Sequence, residues 1–314
     1  MKLIIQIPCY NEENTLPVVL KSIPKKINGI SEIKVLVIND GSDDKTVEVA
    51  KSLGVDYVVD MPFRRGLAEA FRRGLEKSLE LGADIIVNTD GDNQYKGEDI
   101  PALVEPILKK KAEIVIGCRD IFAIKHFSLF KKVLQQIGSY VVRKFSDTSI
   151  PDTTSGFRAY TKDAALRLNV FSNYTYTLET IIQAGRKQIP ISYVTIKTNE
   201  KLRESRLIKS TTSYIFRSIA TILRIYLMYE PMKFFVKLGS LILCFSAIIG
   251  TRYMYFFIFG PKRGGHVQSL ILAIILTIIG AQLIFTGFLA DIIAANRKLN
   301  EEVLYRQRKE QLKK

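Results

Sequence analysis

Ile85-Ile86-Val87-Asn88-Thr89-Asp90-Gly91-Asp92-Asn93-Gln94 sets an apolar, β-branched run directly against two carboxylates. Residues 85–89 read as a short buried strand, so the carboxylates sit at its C-terminal end. Aspartates at i and i+2, with glycine between them, can converge on one divalent cation. Their oxygens suit a hard ion, Mg2+ or Mn2+, which keeps part of its coordination for substrate phosphates. The run also begins like a calcium-binding loop. However, the downstream Gly and Glu of that loop are missing, and a strand rather than a helix precedes it.

Working outward, further short apolar runs at residues 3–8, 34–39, 57–59 and 113–117 read as strands. Helical patterns at 13–24, 43–53 and 65–81 alternate with them. Ser42 or Asp43 suits the N-cap of the second helix, and Gly54 and Gly82 suit the stops of the second and third. Unbroken apolar strands alternating with helices predict an α/β fold with a mostly parallel sheet covered on both faces. Ligands of such sheets bind beyond the C-terminal strand ends. Three more motifs are expected there: Pro8-Cys9-Tyr10-Asn11-Glu12, Asn39-Asp40-Gly41-Ser42-Asp43-Asp44, and Asp152-Thr153-Thr154-Ser155-Gly156-Phe157-Arg158. Each is weak alone. The second is also an ordinary helix-start turn, and the third reads equally as a loop entering a strand.

In this order and spacing the motifs are specific. The chain resembles the family 2 glycosyltransferases of the Rossmann-like GT-A fold. Among them it is similar to the dolichyl-phosphate mannose synthases and polyprenyl-phosphate glucosyltransferases. The residues that carry the resemblance are P-x-Y-N-E at 8–12, D-G-S-x-D at 40–44, D-x-D-x-Q at 90–94, S-G-F at 155–157 and R-x-S-R-L at 203–207. The resemblance covers roughly residues 1–210. It implies that Pro8, Tyr10, Asn11, Glu12, Ile38 and Asp40 serve the base and ribose pocket of a UDP- or GDP-sugar donor. Asp90 would hold the sugar or ribose side, while Asp92 and Gln94, with Asp90 beside them, would hold Mg2+ or Mn2+ on the diphosphate. Arg119 and Lys131 would lie near the acceptor phosphate, Ser155 and Gly156 would shape the acceptor site, and Arg203 and Arg206 would lie over donor or lipid phosphate. Two departures stand out. Asn39 replaces the first of two adjacent acidic residues, and Lys131 stands where the mannose synthases often carry Arg, which alone binds phosphate bidentately.

The remaining third of the chain changes character. Residues 213–229 place Ser213, Arg217, Thr221 and Arg224 on one stripe of an otherwise apolar helix, the pattern of an amphipathic segment lying in a membrane interface. Residues 270–290 carry no charge and suffice to cross a bilayer core of about 30 Å. Residues 234–259 read as another span despite Lys237 and Arg252; Arg252 either snorkels to the far interface or faces the other helix. The expected organisation is a catalytic domain at 1–210, an interfacial segment at 211–233, two transmembrane helices at 234–293 and a basic tail at 294–314. Gly280 and Gly287, one heptad apart, could let the second span approach either the first span or another copy of the chain in a homo-oligomer.

The net charge is +15 among 314 residues. The excess gathers near 201–237 and after 296, flanking the apolar runs, which favours anionic membrane lipids over nucleic acid. Positive charge on the N-terminal side and on the tail predicts that both are cytoplasmic. The N-terminal apolar run meets Pro8 too early for a signal peptide, and Cys9, Cys118 and Cys244 form no paired motif, consistent with a reduced compartment.

Together these features predict an inverting, metal-dependent transfer of a hexose from a nucleotide-sugar to a polyprenyl phosphate, dolichyl or undecaprenyl. The attacking phosphate monoester is already anionic, so it needs cations more than a base, and His126 and His266 lie outside every motif. One rival is an enzyme of the same family acting on a lipid or glycan hydroxyl, for which Asp152 would be the candidate base. A processive synthase is disfavoured because the chain has no Trp for a Q-x-x-R-W motif. A rival of another class is a non-catalytic nucleotide-sugar-binding scaffold, which would dispense with the metal ligands that are present here.

Overall fold

A computed structural model describes the backbone of residues 1–120, 129–171, 175–199, 211–260 and 266–312, and the side chains of all of these but 129–135 and 211–218. The chain divides into two compact units, Met1–Ile222 with Leu304–Lys314, and Leu223–Val303.

In the first unit β1 (Lys2–Cys9), α1 (Leu16–Ser22), β2 (Glu32–Asp40), α2 (Thr46–Ser52), β3 (Tyr57–Met61), α3 (Leu67–Glu80) and β4 (Ile85–Asn88) follow the expected alternation. Then come α4 (Ile100–Leu108), β5 (Ile114–Arg119), α5 (Leu129–Ser146), β6 (Arg158–Thr161), α6 (Lys162–Arg167), α7 (Thr177–Arg186) and β7 (Ile191–Ile196), and α8 (Thr211–Tyr229) begins in this unit and ends in the second. The sheet runs β3-β2-β1-β4-β6-β5-β7. Among the described strands, only β6 is antiparallel to its neighbours.

The unbroken apolar strands have the cause expected of them. In β1, Leu3, Ile5 and Ile7 join Leu16 and Val19 of α1, Ala50 of α2 and Leu103 and Val104 of α4 in one core cluster. The alternate residues Ile4 and Gln6 face the other way and are equally buried, under α3. Gly74 of α3 comes so close that a Cβ there would stand 2.6 Å from Gln6 Oε1 and 3.0 Å from Ile38. With helices on both faces, each buried Leu or Ile contributes about 1.5–3 kcal/mol, and neither face of β1 is left to water.

In the second unit α9 (Pro231–Phe259) and α10 (Val267–Gln311) are long and apolar enough to cross a membrane. The second is 45 residues long, about 67 Å at 1.5 Å per residue. Small residues line their contact. A Cβ on Gly239 would lie 2.7 Å from Gly280 O, and one on Gly287 would lie 2.9 Å from Phe235. Ser246 Oγ donates to Ala273 O at 2.6 Å and meets Thr277 Oγ1 at 2.7 Å. Gly280 and Gly287 therefore serve the pairing of α10 with α9 inside one chain. Arg252 faces outward, exposed, with its guanidinium 5.7 Å from the Phe256 ring centre. Leu241, Phe245, Ile278 and Ile292 are also exposed on the outside, a surface suited to lipid rather than water. Gly239→Val will force the helices apart and cost about 1–3 kcal/mol, read as a lower melting midpoint in detergent. An unchanged midpoint would contradict this close packing.

Candidate active site

β1 and β2 are parallel neighbours ending in register, Pro8 opposite Ile38 and Cys9 opposite Asn39, so the loops that follow them lie together. Asn11 adopts φ 56°, a left-handed conformation that Asn tolerates better than most residues. Its N–H donates to Ser42 Oγ at 2.9 Å, and its Oδ1 accepts from Asp43 N at 2.8 Å. Glu12 N donates to Thr46 Oγ1 at 2.8 Å and Glu13 N to Asp44 Oδ2 at 3.2 Å. Asn11 thus ties the two loops together. Helix α2 starts at Thr46, whose N–H donates to Asp44 Oδ1 at 3.0 Å. Neither Ser42 nor Asp43 caps it, because the helix begins past both, with Lys45 at its N-cap position.

Asp40 binds a third loop. Its carboxylate accepts from Arg65 N at 2.7 Å and from Gly66 N at 2.9 Å. Burial raises the Asp40 carboxyl, although these amides and the Arg64 charge oppose the shift. Gly41, at φ 64°, has room for no side chain, since a Cβ would lie 2.5 Å from Arg64 N. The loop so held brings the Arg64 guanidinium over the Tyr10 ring at 4.1 Å. Asn39 is buried, donating Nδ2 to Asp60 Oδ1 at 2.7 Å and accepting from Ser42 N at 3.1 Å. An aspartate at 39 would set two carboxylates against each other. The negative charge lost at 39 stands on Asp60, one strand over.

Pro8, Tyr10, Glu12, Asp40, Asp90 and Asp92 line one cleft with Arg64, about 660 Å³ including its open mouth. Five of these positions sit at or just past the ends of β1 and β2 or after β4, where a parallel sheet offers its ligand site. Gly91 permits the close approach: a Cβ there would stand 3.0 Å from Cys9 Sγ and 3.3 Å from Glu12. Asp92 Oδ1 accepts from Gln94 N at 3.0 Å. Asp90 keeps some exposure to the cleft, yet burial, and then the charge of Asp92, push its carboxyl up to about 7. Gly156 abuts it, since a Cβ there would meet Asp90 Oδ1 at 3.1 Å and Tyr176 Oη at 2.9 Å. Behind them Gln6 Nε2 donates to Asn88 Oδ1 at 2.8 Å, and Asn88 Nδ2 donates to Gly156 O at 2.8 Å and Tyr176 Oη at 2.9 Å. This buried chain fixes the S-G-F turn against the carboxylate.

Arg119 and Asp152 form a buried pair. Arg119 Nε donates to Asp152 Oδ2 at 2.7 Å, and Nη2 donates to Asp152 Oδ1 at 3.1 Å and Thr154 Oγ1 at 2.8 Å. Nη1 reaches Gln94 Oε1 at 3.4 Å. Burial alone would raise the Asp152 carboxyl, but the Arg119 charge and hydrogen bonds, with those of Thr154, hold it below its ordinary value. Arg158 is fully buried, giving its protons to the carbonyls of Ser155, Thr177 and Thr153 and to Thr180 Oγ1. Ser155 is buried too, its Oγ accepting from Phe157 N at 3.3 Å.

Some expected residues are not brought together. Ile38 does not reach the cleft: it lies one pleat before Asp40, fully buried beneath α3. Lys131 lies in α5, but its side chain, like all of Arg203 and Arg206, is outside the described residues. The sequence reading missed Arg64, Gly66, Asn88 and Tyr176. The R-R-G run before α3 was the one local signal for the first two. Asn88 and Tyr176 are joined only by folding.

Two carboxylates at one cleft wall, one of them raised by its burial and then by the charge beside it, form an oxygen donor set that suits a hard divalent ion sharing its coordination with phosphate. Among the described residues no group of three or more acidic, His or Cys side chains could hold a metal unaided.

Comparison with known proteins agrees with this geometry. The family model described as glycosyl transferase family 2 matches residues 4–168. The chain is 29% identical over 216 residues to a UDP-N-acetylglucosamine–dolichyl-phosphate N-acetylglucosaminyltransferase of Methanococcus voltae, covering 61% of this chain and 83% of that one. It is 25% identical over 311 residues to the undecaprenyl-phosphate 4-deoxy-4-formamido-L-arabinose transferase of Pectobacterium atrosepticum, covering 92% and 87%. Among solved structures, glucosyl-3-phosphoglycerate synthase of Mycobacterium tuberculosis, in complex with Mn2+, UDP and phosphoglyceric acid, superposes with a TM-score of 0.58 at 20% identity, covering 72% of this chain and 78% of that one. At that identity the superposition establishes the GT-A-like fold. With the matched segment spanning more than half of its length and the D-x-D carboxylates at the expected strand end, the chain belongs to glycosyl transferase family 2: it is a glycosyltransferase, similar to the polyprenyl-phosphate sugar transferases.

Proposed function

We propose that this protein transfers a hexose from a UDP- or GDP-sugar to a polyprenyl phosphate at the cytoplasmic face of a membrane, with Mg2+ or Mn2+ bound at Asp92, Asp90 and Gln94. The observation that carries this reading is the cleft in which Asp40, Asp90, Asp92 and Arg64 meet, within a chain that also carries two membrane-length helices. The relatives named for dolichyl- and undecaprenyl-phosphate acceptors support the acceptor class. The basic segments at 201–237 and after 296 support the orientation, and α8, with Ile219 and Leu223 exposed beside Arg224, suits a membrane interface.

The residues then divide the work. Tyr10 and Asp40 hold the nucleoside end of the donor, and Arg64, the cation among the described residues that line this cleft, faces its diphosphate. A divalent ion at Asp92 would supply charge neutralisation for the departing nucleoside diphosphate. An acceptor phosphate oxygen gives its electron pair to the anomeric carbon as the bond from that carbon to the diphosphate oxygen breaks, inverting the configuration. No base is required. Asp152 is poorly suited to be one: both its oxygens are occupied and its affinity for protons is lowered. The Arg119–Asp152 pair instead braces Thr154 and Gln94 beside the carboxylates, a positioning role rather than direct contact with phosphate.

The test is a transfer assay with detergent-solubilised protein, Mn2+, a short-chain polyprenyl phosphate and labelled UDP- and GDP-sugars. Label entering the organic phase in a product cleaved by mild acid is the expected result. Donor hydrolysis without such a product would move the acceptor to a hydroxyl. No turnover with any donor would overturn the reading in favour of a non-catalytic binding protein.

A further inference from the structure

Three consecutive carbonyls of the loop after β4 are held by one residue more than a hundred positions away. Asn199, just past β7, donates its backbone N–H to Gln94 O at 3.0 Å. Its Nδ2 faces Asn93 O at 3.1 Å, Asn93 Oδ1 at 3.3 Å and Tyr95 O at 3.5 Å. Thr198 bridges to Tyr95 immediately before it. The turn so gripped is an unusual one. Asn93 stands at φ 60°, between Asp92 and Gln94, and Asp92 closes the same turn by accepting from Gln94 N.

An isolated turn of this kind has several backbone alternatives of similar energy, because a non-glycine residue at positive φ costs energy that something must offset. Here the offset comes from a side-chain amide, whose two protons are aimed at carbonyl oxygens. A carboxylate of the same shape would repel those oxygens, and a methyl group would leave them without this partner. Asn199 touches none of the cleft carboxylates itself, so its effect must pass through the loop.

We infer that Asn199 is a positioning residue for the divalent cation: it holds the turn at 93–95 that sets Asp92 and Gln94, and thereby sets metal affinity. The inference rests on the reading of this loop as the metal site. Partners that orient metal ligands typically change affinity by about 10–100-fold when lost.

The experiment measures Mn2+ binding directly. Full-length protein in detergent is titrated with MnCl2 in the presence of UDP, and separately GDP, and free Mn2+ is read from its electron paramagnetic resonance signal. Wild type should sequester Mn2+ and Asp92→Ala should not. Asn199→Ala and Asn199→Asp should each bind Mn2+ about 10–100-fold more weakly, with cooperative melting retained. A folded Asn199 variant that binds Mn2+ as wild type does, while Asp92→Ala does not, would overturn the inference and leave the metal site standing. Failure of wild type to bind with either nucleotide would remove both. Loss of cooperative melting in both Asn199 variants would also overturn it, since the amide would then hold the fold rather than the metal loop.

Discussion

Replacing Asp92 with alanine will lower sugar transfer by about 10³-fold or more, the loss expected when several kcal/mol of charge stabilisation leave the transition state. Asp92 lines the cleft, and one of its oxygens is committed to the Gln94 amide. Its neighbour Asp90 leaves only one carboxylate where the site has two, and its burial disfavours the charged form. The effect should fall on kcat and kcat/KM together, since the charge to be stabilised develops only as the diphosphate departs. Melting should change little: Asp92 is half-buried and makes no ion pair among the described residues. Retained activity with ordinary Mn2+ dependence would remove Asp92 from the site.

The largest stability effect is expected at Asp152. Asp152→Ala leaves the Arg119 guanidinium buried without its carboxylate, and breaking such a pair costs about 3–5 kcal/mol. For a unit of this size that is roughly 6–20 °C in melting midpoint. The folded-state pKa of Asp152 lies below its ordinary 3.8. Its contribution is therefore fully present above that value and is lost as pH falls through the folded one. The gap in melting midpoint between wild type and variant should accordingly narrow in strong acid. Asp152→Asn separates the alternatives. A general base replaced by an amide would lose about 10²–10⁴-fold in rate with its melting unchanged, whereas a brace for Arg119 loses stability. Unchanged melting with a collapsed rate would restore the hydroxyl-acceptor reading.

Much of the fold was legible because each signal was local. β1, β2 and β4 are unbroken apolar runs that end in polar turns, and the two membrane-length helices declare themselves by composition. The places of β6 and β7 in the sheet were not legible. The turn at 152–156 announces a strand entry at 158–161, but the partners β4 and β5 lie 70 and 40 residues upstream, so nothing near it announces an antiparallel insertion. In the candidate site the carboxylates were legible through D-x-D and its preceding strand. Ile38 was misplaced, since a strand of uniform burial does not say at which pleat the cleft begins.

The sequence by itself determined the class of fold, the carboxylates at the strand ends and the apolar helices, because strand period, glycine positions and hydropathy are properties of neighbouring residues. Tertiary structure alone decided how those groups are held. Arg64 reaches Tyr10 because Asp40 ties down the loop at 65–66. Asn39 is an amide because Asp60 faces it. Gly280 and Gly287 serve the partner helix of the same chain. Asn199 grips the turn at 93–95. Each of these depends on a hydrogen bond or a close approach between segments distant in the chain, and such contacts leave no period or composition for a linear reading to detect.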